Sequence, residues 1–353
     1  QQAILDQMFD AWTVERYPKL FEDRGWRTAE YFPGASSPPA DPTRVHKVTI
    51  KADVPTFYGL PVAFAKDPAR RPTGFYLSPG SVGTVVVPQS MVNTGFSVLV
   101  GAHTVDHAKK NTHKRLDRVS RTFSITSTTT HIANPLGGGV YILVPYLANL
   151  GLVEVQVSRV IEAPFFSLKS FDKTSLGEWT KRRTTPGPWA DFETDKFMLN
   201  VPSCWIYAFD DPQALLRTWD TAMDGVSEYL GYPLIRNRKV LYQQVDVQIK
   251  HGAFGIGYPQ VNNLYDPREP TTGNNSTWLL TDPLKWEVDY HELGHAQWLT
   301  GFPGEIEAIV NFLHAYVRNV KFGVDFDVAF QQSFGPAYGN IGFTPDNAAI
   351  HWM

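Results

Sequence analysis

Cysteine is nearly absent from this sequence, which has one, Cys204, among 353 residues. A single cysteine excludes an internal disulfide and a zinc site built from several thiolates. Any tightly bound metal ion must therefore be held by histidine and carboxylate side chains. Long apolar runs are absent as well, since none approaches the ~20 residues that a membrane-spanning helix needs. We therefore expect no membrane-spanning segment.

Charge is also sparse. Charged residues make up 19% of the chain, the formal net charge is −3, and there is no long run of lysine or arginine. The sequence thus lacks the basic surface that binds nucleic acid or anionic lipid, and we expect no nucleic-acid partner. Hydrophobic residues reach 43%, with 22 Phe, 15 Tyr and 10 Trp. This composition supplies packed cores and excludes global disorder.

Local residue patterns divide the chain into three predicted regions. Residues 1–42 are predicted to form a helical lead-in and a proline-rich linker. Residues 43–165 carry short β-branched runs between glycines and prolines, which is typical of a β-sandwich-like accessory domain. The runs that predict strands are 48–50, 83–87, 96–100, 123–130, 140–144 and 153–157. Residues 166–353 mix strands and helices, so we expect an α+β protein whose second domain is mainly helical with a small sheet.

The second domain shows both helical and strand periodicity. Its first helix is predicted to have Asp211 as N-cap and Gly231 as its stop. The apolar residues of the strand pattern alternate with polar ones, which predicts a half-buried strand. The predicted elements are a helix over 212–230, a strand containing Val245, Val247 and Ile249, and helices at about 286–299 and 305–320.

The segment from His291 to His295 reads His-Glu-Leu-Gly-His, an H-E-x-x-H motif inside a helical pattern. Histidines at i and i+4 lie on one face of a helix, so both imidazoles can reach one zinc ion. Zinc lowers the pKa of a bound water toward ~7, and a neighbouring carboxylate can take the proton. His291 and His295 are therefore candidate metal ligands, and Glu292 is the candidate catalytic acid/base.

A catalytic zinc ion also needs a third protein ligand and one open position. The next predicted helix offers Glu305, Glu307 and His314. Glu307, Asn311 and His314 share a face at i, i+4 and i+7, which favours Glu307 as the ligand and Asn311 as a supporting residue. Glu305 lies in the first turn, where a carboxylate often complements the helix dipole. Glu305 and His314 remain alternatives at this point.

The motif and its spacing to the segment from Glu307 to Asn311 resemble the signature of the enhancin-like gluzincin peptidases, family M60. That group includes mucin-cleaving bacterial proteases and the animal TRP-channel-associated factors. Further segments recur in the same order in the family and extend the resemblance over about residues 45–320. These segments are 74–80, 101–104, 134–135, 137–142, 163–166, 186–189 and 257–259.

The resemblance implies a gluzincin catalytic domain in which His291, His295 and Glu307 bind one zinc ion. It also implies that Glu292 is the acid/base of a zinc-dependent endopeptidase. By analogy with the family, the substrates would be polypeptides or glycoproteins, especially extracellular mucin-like O-glycosylated ones. The alternative is a catalytically silent interaction or structural protein, as the channel-associated relatives suggest.

The resemblance places the turn of Gly257 and Tyr258 after the edge strand against which gluzincins align a peptide. Both residues are candidates for substrate binding, and a buried aromatic side chain at the turn is the favoured alternative for Tyr258. The chain departs from the family at Ala296, where an asparagine usually follows the second histidine. It also stops at Met353 where relatives continue, so we expect a rear wall that is truncated or differently built.

An extracellular, secreted location is expected from three features. The family habit favours it, the chain starts with glutamine rather than methionine, and overlapping Asn-x-Ser/Thr sequons occur at Asn274 and Asn275. The sequons are weak evidence alone, because such triplets arise often by chance. The oligomeric state is left open.

Other chemically suggestive residues are given structural interpretations. His103, His107 and His113 lie close in sequence, but neighbouring lysines and arginines would repel a cation, so a solvated loop or strand end is predicted. The glycines at 137–139 are predicted to form a tight β turn, because no Lys-Ser/Thr follows them. Cys204 is predicted to be a small buried hydrophobic residue rather than a nucleophile.

Overall fold

A computed structural model of the chain describes residues 1–54, 67–229, 231, 241–249, 253–255, 258–273, 275–295, 306–334 and 344–352. The helices are α1 Gln2–Met8, α2 Ala11–Arg16, α3 Leu176–Arg182, α4 Pro212–Tyr229, α5 Trp278–Thr281, α6 Glu287–His295, α7 Ile306–Ile309, α8 Phe312–Tyr316, α9 Phe326–Phe334 and α10 Pro345–Trp352. The strands are β1 Val45–Asp53, β2 Ala69–Leu77, β3 Val82–Val86, β4 Ser97–Val100, β5 Arg121–Ser124, β6 Thr129–Ala133, β7 Gly138–Val144, β8 Asn149–Ser158, β9 Ile161–Glu162, β10 Phe165–Lys169, β11 Asp172–Lys173, β12 Trp189–Glu193, β13 Phe197–Pro202, β14 Leu241–Asp246, β15 Ala253–Gly255 and β16 Gln260–Asn263. Within these residues, no helix has the length and apolar character needed to cross a membrane.

Two antiparallel sheets form the accessory domain, so the predicted β-sandwich-like architecture is confirmed. Among the described strands, their orders are β1-β8-β3-β6 and β5-β4-β7-β2-β9. Ile50 and Val155 of the first sheet share one buried core with Val98 and Ile142 of the second. Each such side chain stabilises the fold by roughly 1.5–3 kcal/mol when it is fully buried.

The single strand predicted over 123–130 is wrong, because the segment forms two strands in different sheets. β5 pairs with β4 in one sheet, and β6 pairs with β3 in the other. Between them the Ser127 hydroxyl donates to the carbonyl of Thr129, a local bond by which serine favours a turn over a continuing strand. The chain therefore crosses between the two sheets here.

Strand β2 is absent from the predicted strands, because Arg70, Arg71 and Pro72 interrupt its apolar pattern. Both arginines are buried. Arg70 Nη1 donates to the carbonyl of Ala102 at 2.8 Å, and Arg71 Nε donates to the carbonyl of Lys51 at 3.0 Å. These bonds give each guanidinium group a backbone acceptor inside the protein, where a polar group without any partner would be costly.

The N-terminal region contains two short helices followed by an irregular proline-rich stretch that is bonded to both domains. The Tyr76 hydroxyl donates to the carbonyl of Gly34 at 2.8 Å, and the Ser78 hydroxyl donates to the carbonyl of Ser37 at 2.8 Å. The indole N–H of Trp189, on β12, donates to the carbonyl of Pro33. This stretch thus connects the accessory domain to the sheet of the second domain.

The second domain is built on a mixed sheet, with order β11-β10-β12-β13-β14-β16-β15 among the described strands. β14 is parallel to both of its neighbours, and β15 is antiparallel to β16 at one edge. The predicted half-buried strand is corrected: β14 is buried on both faces, and Val247 and Ile249 lie beyond its end. The accessory domain covers one face, where the Tyr141 hydroxyl donates to Asp191 at 2.9 Å.

Helix α4 covers the opposite face, as its amphipathic pattern predicts. Trp219 on α4 stacks on Phe197 of β13 with ring centroids 4.4 Å apart. Asp211 caps the helix, since its Oδ1 accepts from the backbone N–H of Gln213 at 2.9 Å. The capping and burial predicted for this helix are therefore both confirmed.

The helix predicted at about 305–320 is broken into α7, α8 and a π-helical segment, Val317–Lys321. The break lies at Val310 and Asn311. The Asn311 side chain donates to the carbonyl of Glu307 at 2.9 Å. In a regular helix that carbonyl would accept from the backbone N–H of Asn311, so the side-chain amide takes the place of a helical hydrogen bond. The regular helix predicted across these residues is therefore interrupted between Glu307 and His314.

Candidate functional site

Helix α6 carries the H-E-x-x-H motif and presents its two histidines to the same point. The Nε2 atoms of His291 and His295 are 3.0 Å apart. His291 is buried and His295 is half-buried. Burial lowers the pKa of His295, and the neighbouring His291 adds to this effect. A neutral imidazole keeps its lone pair available for a metal ion.

Helix α7 brings Glu307 to the same point. Its Oε2 lies 3.2 Å from Nε2 of His291 and 3.5 Å from Nε2 of His295. Among the described residues, these three side chains are the one group of at least three His, Cys, Asp or Glu whose donor atoms converge closely enough to hold a metal ion. The three ligands predicted from the sequence are thus brought together by two different helices.

Asn311 orients the first of these histidines. Its Oδ1 lies 2.7 Å from Nδ1 of His291, and its Nδ2 donates to the carbonyl of Glu307 at 2.9 Å. The second bond fixes which end of the amide faces the ring, so Nδ1 of His291 must carry the hydrogen. In the neutral ring Nε2 is then the nitrogen without a hydrogen, which is the form that a metal ligand needs.

Glycine at position 294 allows the two ligand-bearing helical segments to approach closely. A Cβ atom built at Gly294 would lie 2.8 Å from Cβ of Val310 and 2.9 Å from its Cγ1. Such distances are too short for carbon atoms that are not bonded to each other. Any side chain at this position would therefore push α6 away from the turn between Glu307 and Asn311.

We expect Gly294→Ala to weaken zinc binding by about 10–100-fold, the range seen when groups that orient metal ligands are disturbed. The added methyl group displaces α6, and His291 and His295 move relative to Glu307. Isothermal titration with zinc measures the change. Gly177→Ala is the matched control, because a Cβ atom at this helical glycine meets nothing within 4 Å. Equal zinc affinities for the two variants would contradict the expectation.

Glu292 lies on the same helix, between the two histidines in sequence, and is half-buried. Burial raises its pKa to about 7; the charge of His291 opposes the shift, and that of Glu307 adds to it. A carboxyl group with this pKa can both accept and release a proton near neutral pH. The acid/base role predicted for Glu292 is chemically compatible with this environment.

Comparison with known proteins identifies the family. Residues 159–342 match the family described as peptidase M60, enhancin and enhancin-like. The chain belongs to the M60 family. Residues 43–158 match the N-terminal domain of M60-like peptidases. The family resemblance expected from the sequence is therefore confirmed, whereas the predicted domain boundary at residue 165 stays a prediction.

Two curated relatives are channel-associated proteins. The TRPM8 channel-associated factor homolog of Xenopus laevis is 34% identical over 261 residues, and TRPM8 channel-associated factor 2 of Homo sapiens is 30% identical over 262 residues. The matches cover 72% and 71% of this chain but 28% and 27% of those proteins. The chain thus spans little more than a quarter of the length of these relatives.

Two solved M60-type structures share the fold. The IMPa metallopeptidase of Pseudomonas aeruginosa, in complex with an O-glycopeptide, has a TM-score of 0.56 at 12% identity, covering 83% of this chain and 35% of that one. The M60 catalytic domain of Clostridium perfringens ZmpC, in complex with the sialyl T antigen, has a TM-score of 0.54 at 13% identity, covering 77% and 57%. At these identities the likeness establishes the fold alone, and it confirms the predicted α+β class.

His314, one of the alternative third ligands of this M60 chain, does not join the cluster. His314 is buried away from it, with Nε2 3.0 Å from the carbonyl of Leu284 and Nδ1 2.9 Å from the Ser333 hydroxyl. Both ring nitrogens therefore have partners, and burial lowers the pKa of His314 to about 4. Glu305 lies outside the described residues, as does Ala296.

The predicted substrate-binding turn has one described member. Tyr258 packs beside Tyr242 with ring centroids 6.1 Å apart, and its hydroxyl accepts from the backbone N–H of Arg70 on β2. These contacts give Tyr258 the packing role that was the favoured alternative, and its role in substrate binding stays a prediction. Gly257 lies outside the described residues.

A fully buried aspartate on α6 escapes sequence reasoning. Asp289 is two residues before His291, and its carboxylate accepts from Gln260 and Trp278. Burial raises its pKa to about 7 even though these two bonds lower it, because the carboxylates of Glu287 and Glu292 add to the effect of burial. The sequence carries no local signal for this residue, because its partners Gln260 and Trp278 lie on other elements.

The second histidine cluster is not solvated, so that prediction is wrong for two of its members. His103 and His107 are buried. His103 Nε2 lies 2.9 Å from the carbonyl of Val245, and His107 Nε2 lies 3.6 Å from Asp246. His113 is partly exposed, as predicted. The cluster holds the accessory domain against the end of β14, where the carboxylate of Asp246 compensates the positive charges that surround the histidines.

Three further residues or segments have structural roles. The turn predicted at 137–139 is corrected: Gly137 ends the turn, where its N–H donates to the carbonyl of Asn134 at 2.9 Å, and Gly138 and Gly139 begin β7. A Cβ atom at Gly138 would lie 2.5 Å from the backbone of Gly101. Burial raises the pKa of the Cys204 thiol to about 11, which keeps it protonated and unreactive at neutral pH. Asn275 is buried and donates to the carbonyl of Asp266 at 3.3 Å, so it is a poor glycan acceptor, while Asn274 lies outside the described residues.

Proposed function

We propose that this M60 chain is a zinc-dependent endopeptidase that cleaves mucin-like O-glycosylated proteins outside the cell. The observation that carries the proposal is the convergence of Nε2 of His291, Nε2 of His295 and Oε2 of Glu307 within 3.0–3.5 Å of one another. Glu292 projects from the same helix with a pKa of about 7.

Zinc fits this donor set by geometry. Bonds of about 2.0–2.1 Å in a tetrahedral site place neighbouring donor atoms ~3.4 Å apart. The three distances scatter around that value, and two imidazole nitrogens with one carboxylate oxygen match the ligands of catalytic zinc sites. A zinc ion bound here would act as a Lewis acid on a peptide carbonyl and on water.

The residues of the chain supply the proton transfers and the orientation. The Glu292 carboxylate takes the proton from the attacking water at Oε and returns it to the nitrogen of the leaving amine. Asn311 holds the His291 ring in the tautomer that leaves Nε2 unprotonated. His295 stays neutral because burial lowers its pKa.

The edge strand offers a place for an extended substrate. β15 is antiparallel to β16 and is the outermost of the described strands at this side of the sheet. The hairpin formed by β15 and β16 packs against α6. A peptide can add to such an edge through main-chain hydrogen bonds. The solved structures of IMPa with an O-glycopeptide and of ZmpC with the sialyl T antigen support a glycosylated peptide as the substrate class.

A catalytically silent interaction protein is the second candidate. It is favoured by the identity of 30–34% to TRPM8 channel-associated factors. Such a protein has no need of a half-buried glutamate beside two imidazoles, and this argues for the peptidase.

The deciding experiment measures metal and cleavage on the same preparation. We expect one zinc ion per chain and cleavage of a mucin-type glycoprotein that stops with a chelator and returns with added zinc. The same substrate stripped of O-glycans should be cut far more slowly. Equal cleavage of both substrates would contradict the glycan requirement, and full zinc without cleavage of varied glycoproteins would favour the interaction protein.

A further inference from the structure

The side chain of Asp289 connects the metal helix to two other elements. Its Oδ1 accepts from Nε2 of Gln260 at 2.9 Å, and its Oδ2 accepts from Nε1 of Trp278 at 2.9 Å. Asp289 and Gln260 are fully buried. Directional hydrogen bonds that are shielded from water hold their partners in one arrangement more strictly than apolar contacts do.

Gln260 is the first residue of β16 and lies opposite Gly255 of β15. The bond from Gln260 to Asp289 therefore joins α6 to the hairpin that contains the edge strand. Two other side-chain bonds of α6 lead elsewhere: the Tyr290 hydroxyl donates to the carbonyl of Pro283 at 3.0 Å, and Nδ1 of His291 contacts Asn311. Asp289 thus links the position of the edge strand to that of His291, two residues further along α6.

We propose that Asp289 is a positioning residue that holds β15 at a fixed distance from the metal ligands and so aligns an extended peptide for cleavage. This inference rests on the proposed peptidase function. Asp289 acts through Gln260 and the strand rather than on the substrate. Because a misplacement of about 1 Å can cost ~10²-fold in rate, loss of this link should slow turnover more than it weakens peptide binding.

Exchanging the polar groups separates positioning from general stability. In Asp289→Leu a side chain of similar size can accept neither bond, and in Gln260→Met only the bond between α6 and β16 is removed. In Asp289→Asn the amide oxygen can still accept from Trp278, and the Gln260 amide can rotate so that its Oε1 accepts from the new Nδ2. The Asp289→Asn variant therefore keeps both bonds without the charge.

The matched control is Gln243→Met. Gln243 Oε1 accepts from Nδ2 of Asn262 at 2.6 Å, and this bond joins β14 to β16 without involving α6. The variant removes a buried hydrogen bond of the same kind one strand further in. It should lower stability without changing the placement of β15 relative to the metal ligands.

Three readouts decide the proposal. Zinc content should stay at one per chain in all variants. For peptides long enough to pair with β15, Asp289→Leu and Gln260→Met should lower kcat about 10–100-fold with KM within about threefold, whereas Asp289→Asn should keep most of the activity. Amide hydrogen exchange of residues 253–255 should become at least about tenfold faster in Asp289→Leu and Gln260→Met, and it should not change in Asp289→Asn or Gln243→Met.

The exchange measurement does not depend on catalysis. If the wild-type chain cleaves nothing, the peptidase proposal fails, and the exchange of residues 253–255 still decides whether Asp289 positions the strand. Unchanged exchange in Asp289→Leu and Gln260→Met would overturn the positioning role. An Asp289→Asn variant as impaired as Asp289→Leu, or a Gln243→Met variant that is impaired equally, would overturn it too, because Asp289 would then act through its charge or through general stability and not through the two bonds.

Discussion

Substituting Glu292 by Gln will lower turnover of a glycoprotein substrate by about 10²–10⁴-fold while zinc stays bound. Removal of a general acid/base costs a factor of this size. The glutamine amide cannot take a proton from water, and His291, His295 and Glu307 are left in place. Single-turnover cleavage assays and metal analysis on the same sample measure both effects.

The matched control for this variant is Glu154→Gln, which removes an exposed carboxylate of the accessory domain, 3.0 Å from Lys47. We expect wild-type turnover for the control. Turnover of Glu292→Gln within about threefold of the wild type would exclude the proposed proton transfer. Loss of zinc from Glu292→Gln would instead place this residue among the metal ligands.

The second large effect is expected at the buried ion pair between the domains. Arg115 Nη2 lies 2.7 Å from Asp246 Oδ2, and both side chains are 1% exposed. Arg115 also donates to the carbonyls of Val105, Leu116 and Asp117. Asp246→Asn leaves the guanidinium charge buried without its counter-charge, so we expect a loss of about 3–5 kcal/mol in the free energy of unfolding.

Equilibrium urea denaturation measures this loss. The control is Glu22→Gln, which breaks an exposed pair with Arg159 of 2.9 Å, and exposed pairs contribute about 0–1 kcal/mol. A loss of the same size in both variants would contradict the account of the domain contact.

The stability that Asp246 contributes also has a definite pH dependence. Burial alone would raise the pKa of Asp246, but the charge of Arg115 and the hydrogen bonds from His107 and Arg115 outweigh burial and lower it strongly. A carboxylate with a lowered folded-state pKa stabilises the protein above its unfolded pKa of about 3.9 and loses this contribution as the pH falls further. Below pH 4 the wild type should therefore lose more stability than Asp246→Asn.

The two histidines of the candidate metal site and the strands of the accessory domain are predictable from sequence because each rests on a short-range rule. The i, i+4 spacing of His291 and His295 places both rings on one helix face whatever the helix packs against. Alternating β-branched runs specify strands in the same way. Asp211 caps α4 through its own backbone neighbours, and this needs no knowledge of the tertiary fold.

The remaining features depend on which elements meet in space. The sequence of β2 does not predict a strand, because Arg70 and Arg71 interrupt its apolar pattern. The hydrogen-bond partners that allow these two arginines to be buried lie outside β2. Helical periodicity put His314 on the same face as Glu307, but in the folded chain the His314 ring meets the carbonyl of Leu284 instead. The roles of Asp289 and Asp246 depend on Gln260 and Arg115, which are 29 and 131 residues away in sequence.

The most direct test of the metal site is anomalous diffraction at the zinc absorption edge from crystals of the chain loaded with one equivalent of zinc. We predict a single strong peak at about 2.0–2.2 Å from Nε2 of His291, Nε2 of His295 and a carboxylate oxygen of Glu307. No peak at that position, or a zinc ion whose fourth position is filled by another protein atom, would contradict the assignment of a catalytic metal centre.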